Sequence, residues 1–139
     1  LNNSIVSMIQ FSKNYIILSF FHLMTFTLSA GKLIISDRGA GSIKITNFDG
    51  SSSEVLIPSA GTNVRGIATD LSMGLIFYAD NGSDIIYKTN IDGSERTAII
   101  QSGLGFPADI TIDRFSKKIY WCDRNNDRIE CSDYNGKNR

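Results

Sequence analysis

Three aspartates stand 43 residues apart: Asp37, Asp80 and Asp123. A carboxylate can act as a general acid or base, hold a hard cation, or accept backbone N–H groups at a turn. The spacing favours the third use. Catalysis needs different groups converging on one point, whereas identical groups at a constant interval belong to successive copies of one structural unit. The other reactive side chains are few. His22 is the only histidine, and no partner at readable spacing makes a catalytic set with it. Cys122 and Cys131 are the only cysteines, and no Cys/His spacing suggests a metal site.

Other residue types keep the same interval. Ile43, Ile86 and Ile129 are in phase, as are Gly50, Gly93 and Gly136, and Asp70 with Asp113. The copies read "KLIISDRGAGSIKITNFDG" (32–50), "LIFYADNGSDIIYKTNIDG" (75–93) and "KIYWCDRNNDRIECSDYNG" (118–136). Alternation of apolar and polar residues between turn-forming clusters predicts four strands in the middle unit, at 64–70, 75–80, 84–91 and 96–101. Asp92-Gly93 joins the last two, because such a pair accepts the positive φ of a tight turn. A period near 43 with four strands per unit is the pattern of a β-propeller blade.

Within that class, the Gly-His and Trp-Asp pairs of WD40 blades are absent in phase. Instead an aspartate closes the second strand, two residues after Ile35, Tyr78 or Trp121. "YWCD" (120–123), "FYAD" (77–80) and the degenerate "IISD" (34–37) resemble the YWTD, or LDL-receptor class B, repeat. "GIATD" (66–70), "DITID" (109–113), "NFDGS" (47–51) and "NIDGS" (90–94) resemble its flanking pattern. The resemblance covers about residues 32–139 and implies an all-β, six-bladed propeller of four-stranded antiparallel blades. Six such units need ~260 residues. The units at about 32–74, 75–117 and 118–139 supply roughly two and a half, so a partial, open propeller is expected.

Residues 1–30 leave two readings. "NYIILSFFHLMTFTLSA" (14–30) is shorter than a membrane span and is interrupted by His22. It reads as a signal peptide starting at Met8 and cleaved near Ser29 or Ala30. It also reads as the inner strand of a first, degenerate blade, since "TLSAG" (27–31) falls in phase with "DLSMG" (70–74).

The motif residues have structural roles in this reading. Phe77 and Tyr78, like Tyr120 and Trp121, alternate across a strand, so one of each pair can pack toward each neighbouring blade. Asn81-Gly82-Ser83 is a glycosylation sequon as well as a plain turn, and Asn2-Asn3-Ser4 is a second sequon. If Asn126-Asp127 were a two-residue turn, Cys122 would lie opposite Cys131, and a cross-strand disulfide would be conceivable. The other reading keeps both thiols free, with Cys122 filling the small-residue position of Ser36 and Ala79.

The strand order gathers the loops after the second and fourth strands at one end of every blade. That end collects Arg38, Arg65, Phe106, Arg124 and Asn125, residue types that anchor interfaces. The bland alternative for Arg65 and Phe106 is support of the start of an inner strand. Lys plus Arg equals Asp plus Glu, at 14 each, so no charge excess points to nucleic acid or an anionic membrane.

By the resemblance, the function is non-enzymatic protein binding outside the cell, in an LDL-receptor-related endocytic receptor or Wnt co-receptor, next to EGF-like or other extracellular modules. A nidogen-like matrix propeller is the alternative, secreted rather than anchored at the plasma membrane. A propeller hydrolase is disfavoured, because "VRGIATD" and "PADITID" offer mainly small and aliphatic side chains. No cofactor is expected.

Overall fold

The computed structural model describes residues 7–10, 16–20, 24–29 and 31–139, with side chains from residue 31 onward. His22, Ala30 and the sequon at Asn2 lie outside the described residues. The described elements are all strands: β1 (Ser7–Gln10), β2 (Ile16–Phe20), β3 (Met24–Ser29), β4 (Lys32–Asp37), β5 (Ser42–Asn47), β6 (Glu54–Ile57), β7 (Val64–Asp70), β8 (Leu75–Asp80), β9 (Ile85–Asn90), β10 (Thr97–Ile100), β11 (Pro107–Asp113), β12 (Lys118–Asp123) and β13 (Arg128–Asp133). They form three antiparallel sheets: β1 to β6 in chain order, β7 to β10, and β11 to β13.

The middle sheet matches the four expected strands, with β9 and β10 each one residue shorter at both ends. The lost residues go to turns. Asp84 sits at φ 54°, a left-handed conformation that ends a strand. In the first sheet, β3 pairs with β4 from Phe26↔Ile35 to Ser29↔Lys32, as β7 pairs with β8 and β11 with β12.

The 43-residue period reaches the backbone even where residue types differ. Positive φ recurs at Gly31, Gly74 and Lys117; at Gly41, Asp84 and Asp127; at Gly50, Gly93 and Gly136; and at Ser52, Glu95 and Asn138. The Asn-x-Asp-Gly-Ser turns repeat atom for atom. Asp49 Oδ1 accepts from Ser51 N at 2.9 Å, and Asp92 Oδ1 from Ser94 N at 2.9 Å. Thr46 and Thr89 hydroxyls donate to the Ser51 and Ser94 carbonyls.

Two cores lie between the sheets. Ile34, Ile43, Ile57, Val64, Ile67, Ile76 and Tyr78 fill the space between the first and second sheets. Ala68, Phe77, Ala79, Ile86, Ile110, Ile119, Trp121 and Tyr134 fill that between the second and third. Alternation along β8 explains the division: Ile76 and Tyr78 face back, Phe77 and Ala79 face forward, and all four are buried. The sheets therefore stack like leaves, and β8 in the middle sheet is buried on both faces. Trp121 repeats the role of Tyr78 and is 1% exposed.

Polar contacts fasten the stack. Tyr134 donates to Asp70 Oδ2 at 3.0 Å, joining the third sheet to the end of β7. Burial and the Asp70 carboxylate both push the Tyr134 phenol well up. Burial pushes the Asp70 carboxyl up, but bonds from Ser72, Tyr134 and Met73 outweigh it, and the net shift is down. The Tyr78 hydroxyl donates to the Ala60 carbonyl at 3.1 Å, and burial pushes it up to about 12. The Asp-Gly turns press against the preceding sheet: a Cβ on Gly93 would stand 2.6 Å from the Leu56 carbonyl oxygen, and one on Gly136 2.0 Å from that of Ile99.

The cysteines fall in a different register from the two-residue-turn expectation. Asp123 pairs with Arg128 across a four-residue turn, so Cys122 faces Ile129 and Cys131 faces Tyr120. The offset of two residues leaves both thiols free. Cross-strand diagonals of this kind lie about 7–8 Å apart, too far for a disulfide.

Two measurements follow from the packing. Trp121→Ala should cost about 3–5 kcal/mol in urea unfolding, through the cavity it leaves between sheets; a loss below about 1 kcal/mol would mean the ring is not packed there. Gly93→Ala should cost at least about 1 kcal/mol, because it combines an unfavourable φ with a backbone collision. Gly50→Ala, with nothing within 4 Å of its Cβ position, shares only the first penalty and should cost less.

Candidate functional site

The loops entering β7 and β11 and those leaving β4, β8 and β12 meet at one end of the sheets. The aspartates closing β8 and β12 hold them there. Asp80 Oδ1 accepts from Asn63 N at 2.8 Å and Gly82 N at 3.1 Å, while Oδ2 accepts from Thr62 N at 3.2 Å and from the Ser83 hydroxyl. Asp123 accepts from Gly105 N at 2.9 Å, Phe106 N at 3.0 Å and Asn126 Nδ2 at 2.7 Å. Each carboxylate thus binds both the incoming linker and its own turn. Asp37 accepts from Ala40 N at 3.0 Å and pairs with Lys44 Nζ at 2.6 Å. The Lys44 bond is the largest influence lowering its carboxyl, with the Ala40 N–H adding to it.

This clamp sets the surface. Arg124 N donates to the Phe106 carbonyl at 3.0 Å, and Asn125 Nδ2 to the Gly105 carbonyl at 2.6 Å. The Arg124 guanidinium lies 5.6 Å from the Phe106 ring centre and the Arg65 guanidinium 5.2 Å from it. Arg65 feels its neighbours: partial burial first, then the charges of Arg38 and Arg124, pull its guanidinium below the usual arginine value. Four of the five surface residues singled out from the sequence, Arg38, Arg65, Phe106 and Arg124, therefore share one neighbourhood, and Asn125 flanks them. Arg38 and Arg124 are exposed and enter no ion pair among the described residues. The result is a cationic rim around one aromatic ring, chemistry suited to carboxylates or other anions.

Beside the rim is a set of buried polar atoms that sequence patterns did not reveal. Asn81 occupies, in phase, the position of Arg38 and Arg124, yet it is 7% exposed. Its Nδ2 and Oδ1, with Asn63 Oδ1 and Asp84 Oδ1, are buried without a hydrogen-bond partner among the described residues. Asn81 reads both as a sequon and as a plain turn, and its burial favours the turn. A glycosylated Nδ2 must reach solvent, and this one is enclosed. The sequon gave no sign of this, because burial depends on the linker at Thr62 and Asn63 folding over the turn.

The comparisons agree with this architecture. No family model and no curated protein matches the chain. Among solved structures it is similar to a nidogen/laminin complex, with TM-score 0.75 and 22% identity over 86% of this chain and 56% of that one. It is similar to a streptogramin B lyase, with TM-score 0.67 and 16% identity over 95% and 52%. It is also similar to a putative TolB from Agrobacterium tumefaciens, with TM-score 0.64 and 13% identity over 89% and 56%. The fold is that of an open, partial β-propeller. The chain spans about half the length of the solved structures it matches. At these identities the likeness establishes the fold alone, shared by a protein of a nidogen/laminin complex and by a lyase.

The propeller clamp has a pH signature. Burial pushes Asp123 up, but the bonds from Gly105, Asn126 and Phe106 outweigh it and hold the carboxyl below its ordinary value. Its stabilisation is therefore complete above the unfolded pKa of about 4 and fades as pH falls through the folded value. Asp123→Asn should cost about 1–3 kcal/mol at neutral pH, measured by chemical unfolding. The difference from the parent chain should shrink below about pH 4. A cost independent of pH would show that the charge is not what holds the linker.

Proposed function

We propose that this chain is a non-enzymatic, extracellular protein-binding propeller of the LDL-receptor class B type. Its ligand face is the rim of Arg38, Arg65, Phe106, Arg124 and Asn125. The observation that carries the reading is the placement of two guanidinium groups over one aromatic ring, with a third close enough to perturb Arg65. Such a surface favours an acidic segment of a partner protein, with the ring supplying apolar contact. The bound protein contributes the anion and this chain the fixed positive field; no bond is made or broken.

An endocytic or Wnt co-receptor ectodomain, joined to EGF-like modules, is the setting suggested by the repeat motifs. A secreted matrix setting is the second reading, and it is favoured by the similarity to the propeller of a nidogen/laminin complex.

Biolayer interferometry with two probes tests both levels: an immobilised peptide of alternating Asp and Asn, and laminin. The acidic peptide should bind, and binding should weaken as salt rises. Arg65→Glu/Arg124→Glu and Phe106→Ala should each reduce it at least about tenfold while leaving the circular dichroism unchanged. Equal binding of a lysine-containing control peptide, or an unaffected double variant, would refute the face. Peptide binding without laminin binding would remove the matrix setting and leave the receptor one.

A further inference from the structure

The chain contains two Asn-Gly pairs, Asn81-Gly82 and Asn135-Gly136. Such a pair can react with itself. The glycine nitrogen, with no Cβ beside it, attacks the asparagine side-chain carbonyl when water reaches both and the carbonyl oxygen is polarised. The structure treats the two pairs oppositely.

Asn81 is 7% exposed, and both its side-chain polar atoms are enclosed. Gly82 N, the attacking atom, donates to the Asp80 carboxylate at 3.1 Å, and that negative charge opposes loss of its proton. Asn135 is exposed, and Gly136 N donates to a neutral group, the Asp133 carbonyl, at 3.0 Å. The Asp133 carboxylate is taken up by Asn135 N and Lys137 N, at 2.9 Å each. Lys88 Nζ, reaching across from β9 of the second sheet, donates to Asn135 Oδ1 at 2.6 Å. A cation on that oxygen draws electrons from Cγ and stabilises the negative charge the oxygen takes on during attack. The exposure belongs to the turn itself. Asp49 and Asp92, in phase with Asn135, are exposed as well, and the sheet of Asp92 is packed on both sides.

We propose that Asn135 is a site of spontaneous deamidation, activated by Lys88. Gly136 N loses its proton to solvent hydroxide and bonds to Asn135 Cγ. The bond from Cγ to Nδ2 breaks, Nδ2 leaves as ammonia, and a cyclic imide remains. Water then opens the imide at one carbonyl to aspartate, or at the other to isoaspartate. Aspartate is the residue the repeat already carries at this position, at Asp49 and Asp92. It offers Lys88 a carboxylate in place of an amide, an ion pair between the second and third sheets. Isoaspartate adds a methylene to the backbone of a turn where a Cβ on Gly136 would already stand 2.0 Å from the Ile99 carbonyl oxygen, and so loosens the same junction.

Peptide mapping by mass spectrometry, after incubation of the intact chain at mildly alkaline pH, tests this. In the folded chain Asn135 should convert at least about tenfold faster than Asn81, whose reaction must wait for local opening. In guanidinium chloride, which frees both pairs, the two should convert at similar rates. Lys88→Met should slow Asn135 about tenfold in the folded chain and leave its rate in denaturant unchanged. Lys88→Arg, which keeps a cation on the oxygen, should retain the parent rate, and circular dichroism checks that each variant is folded. Equal rates at the two asparagines in the folded chain, no conversion of Asn135, or an unchanged folded rate in Lys88→Met would each overturn the proposal.

Discussion

A single carboxylate at the end of the second strand of a blade organises the fold. Asp80 and Asp123 each take two backbone N–H groups from the linker that arrives from the preceding sheet, and further donors from their own turn. Linker N–H groups have no strand partner, and burying them unpaired would cost about 1–3 kcal/mol each. A carboxylate can satisfy several at once, because it accepts on two oxygens and donates none. The aspartate therefore fixes the angle at which one blade follows another.

The cores depend on that angle. Once the linker is clamped, the forward face of one sheet meets the backward face of the next, and a strand such as β8 is buried on both sides. Neither core could form within one sheet, since a lone blade leaves Phe77 on one face and Tyr78 on the other in water. Aromatic residues suit the motif position for this reason. Trp121 and Tyr78 span the gap between sheets, where large area is covered at little rotamer cost.

The same clamp makes the surface. Because Asp123 fixes Phe106 N, the Phe106 ring lies beneath Arg124, the residue next along the turn, and within reach of Arg65 on the neighbouring sheet. The cationic rim is thus a by-product of blade stacking. The residue after the closing aspartate faces out at Arg38 and Arg124, while Asp123 is buried and Asp37 half-buried. Asn81 departs from this, turned inward where its neighbours turn outward, and it breaks the symmetry of the rim.

Period, strand order and turn positions were legible because they are local properties, written in alternation, in Asp-Gly pairs and in a constant interval of 43 residues. β7 and β8 begin and end where the pattern predicts, and the loop residues gather at the predicted end. Register across the turn after β12 was not legible. Asn126-Asp127 resembles a two-residue turn, but Asp123 captures the Asn126 amide and Asp127 adopts φ 50°, giving four residues and separating the cysteines. Enclosure of Asn81 and the stacking of two arginines on Phe106 were equally hidden, since each joins residues that only blade-on-blade packing brings together. The chain by itself determined the repeated unit, because hydrophobic alternation and turn chemistry act over a few residues. Tertiary structure alone decided which polar groups were sealed in and which charges met, because burial and electrostatic proximity arise between units that are distant along the chain.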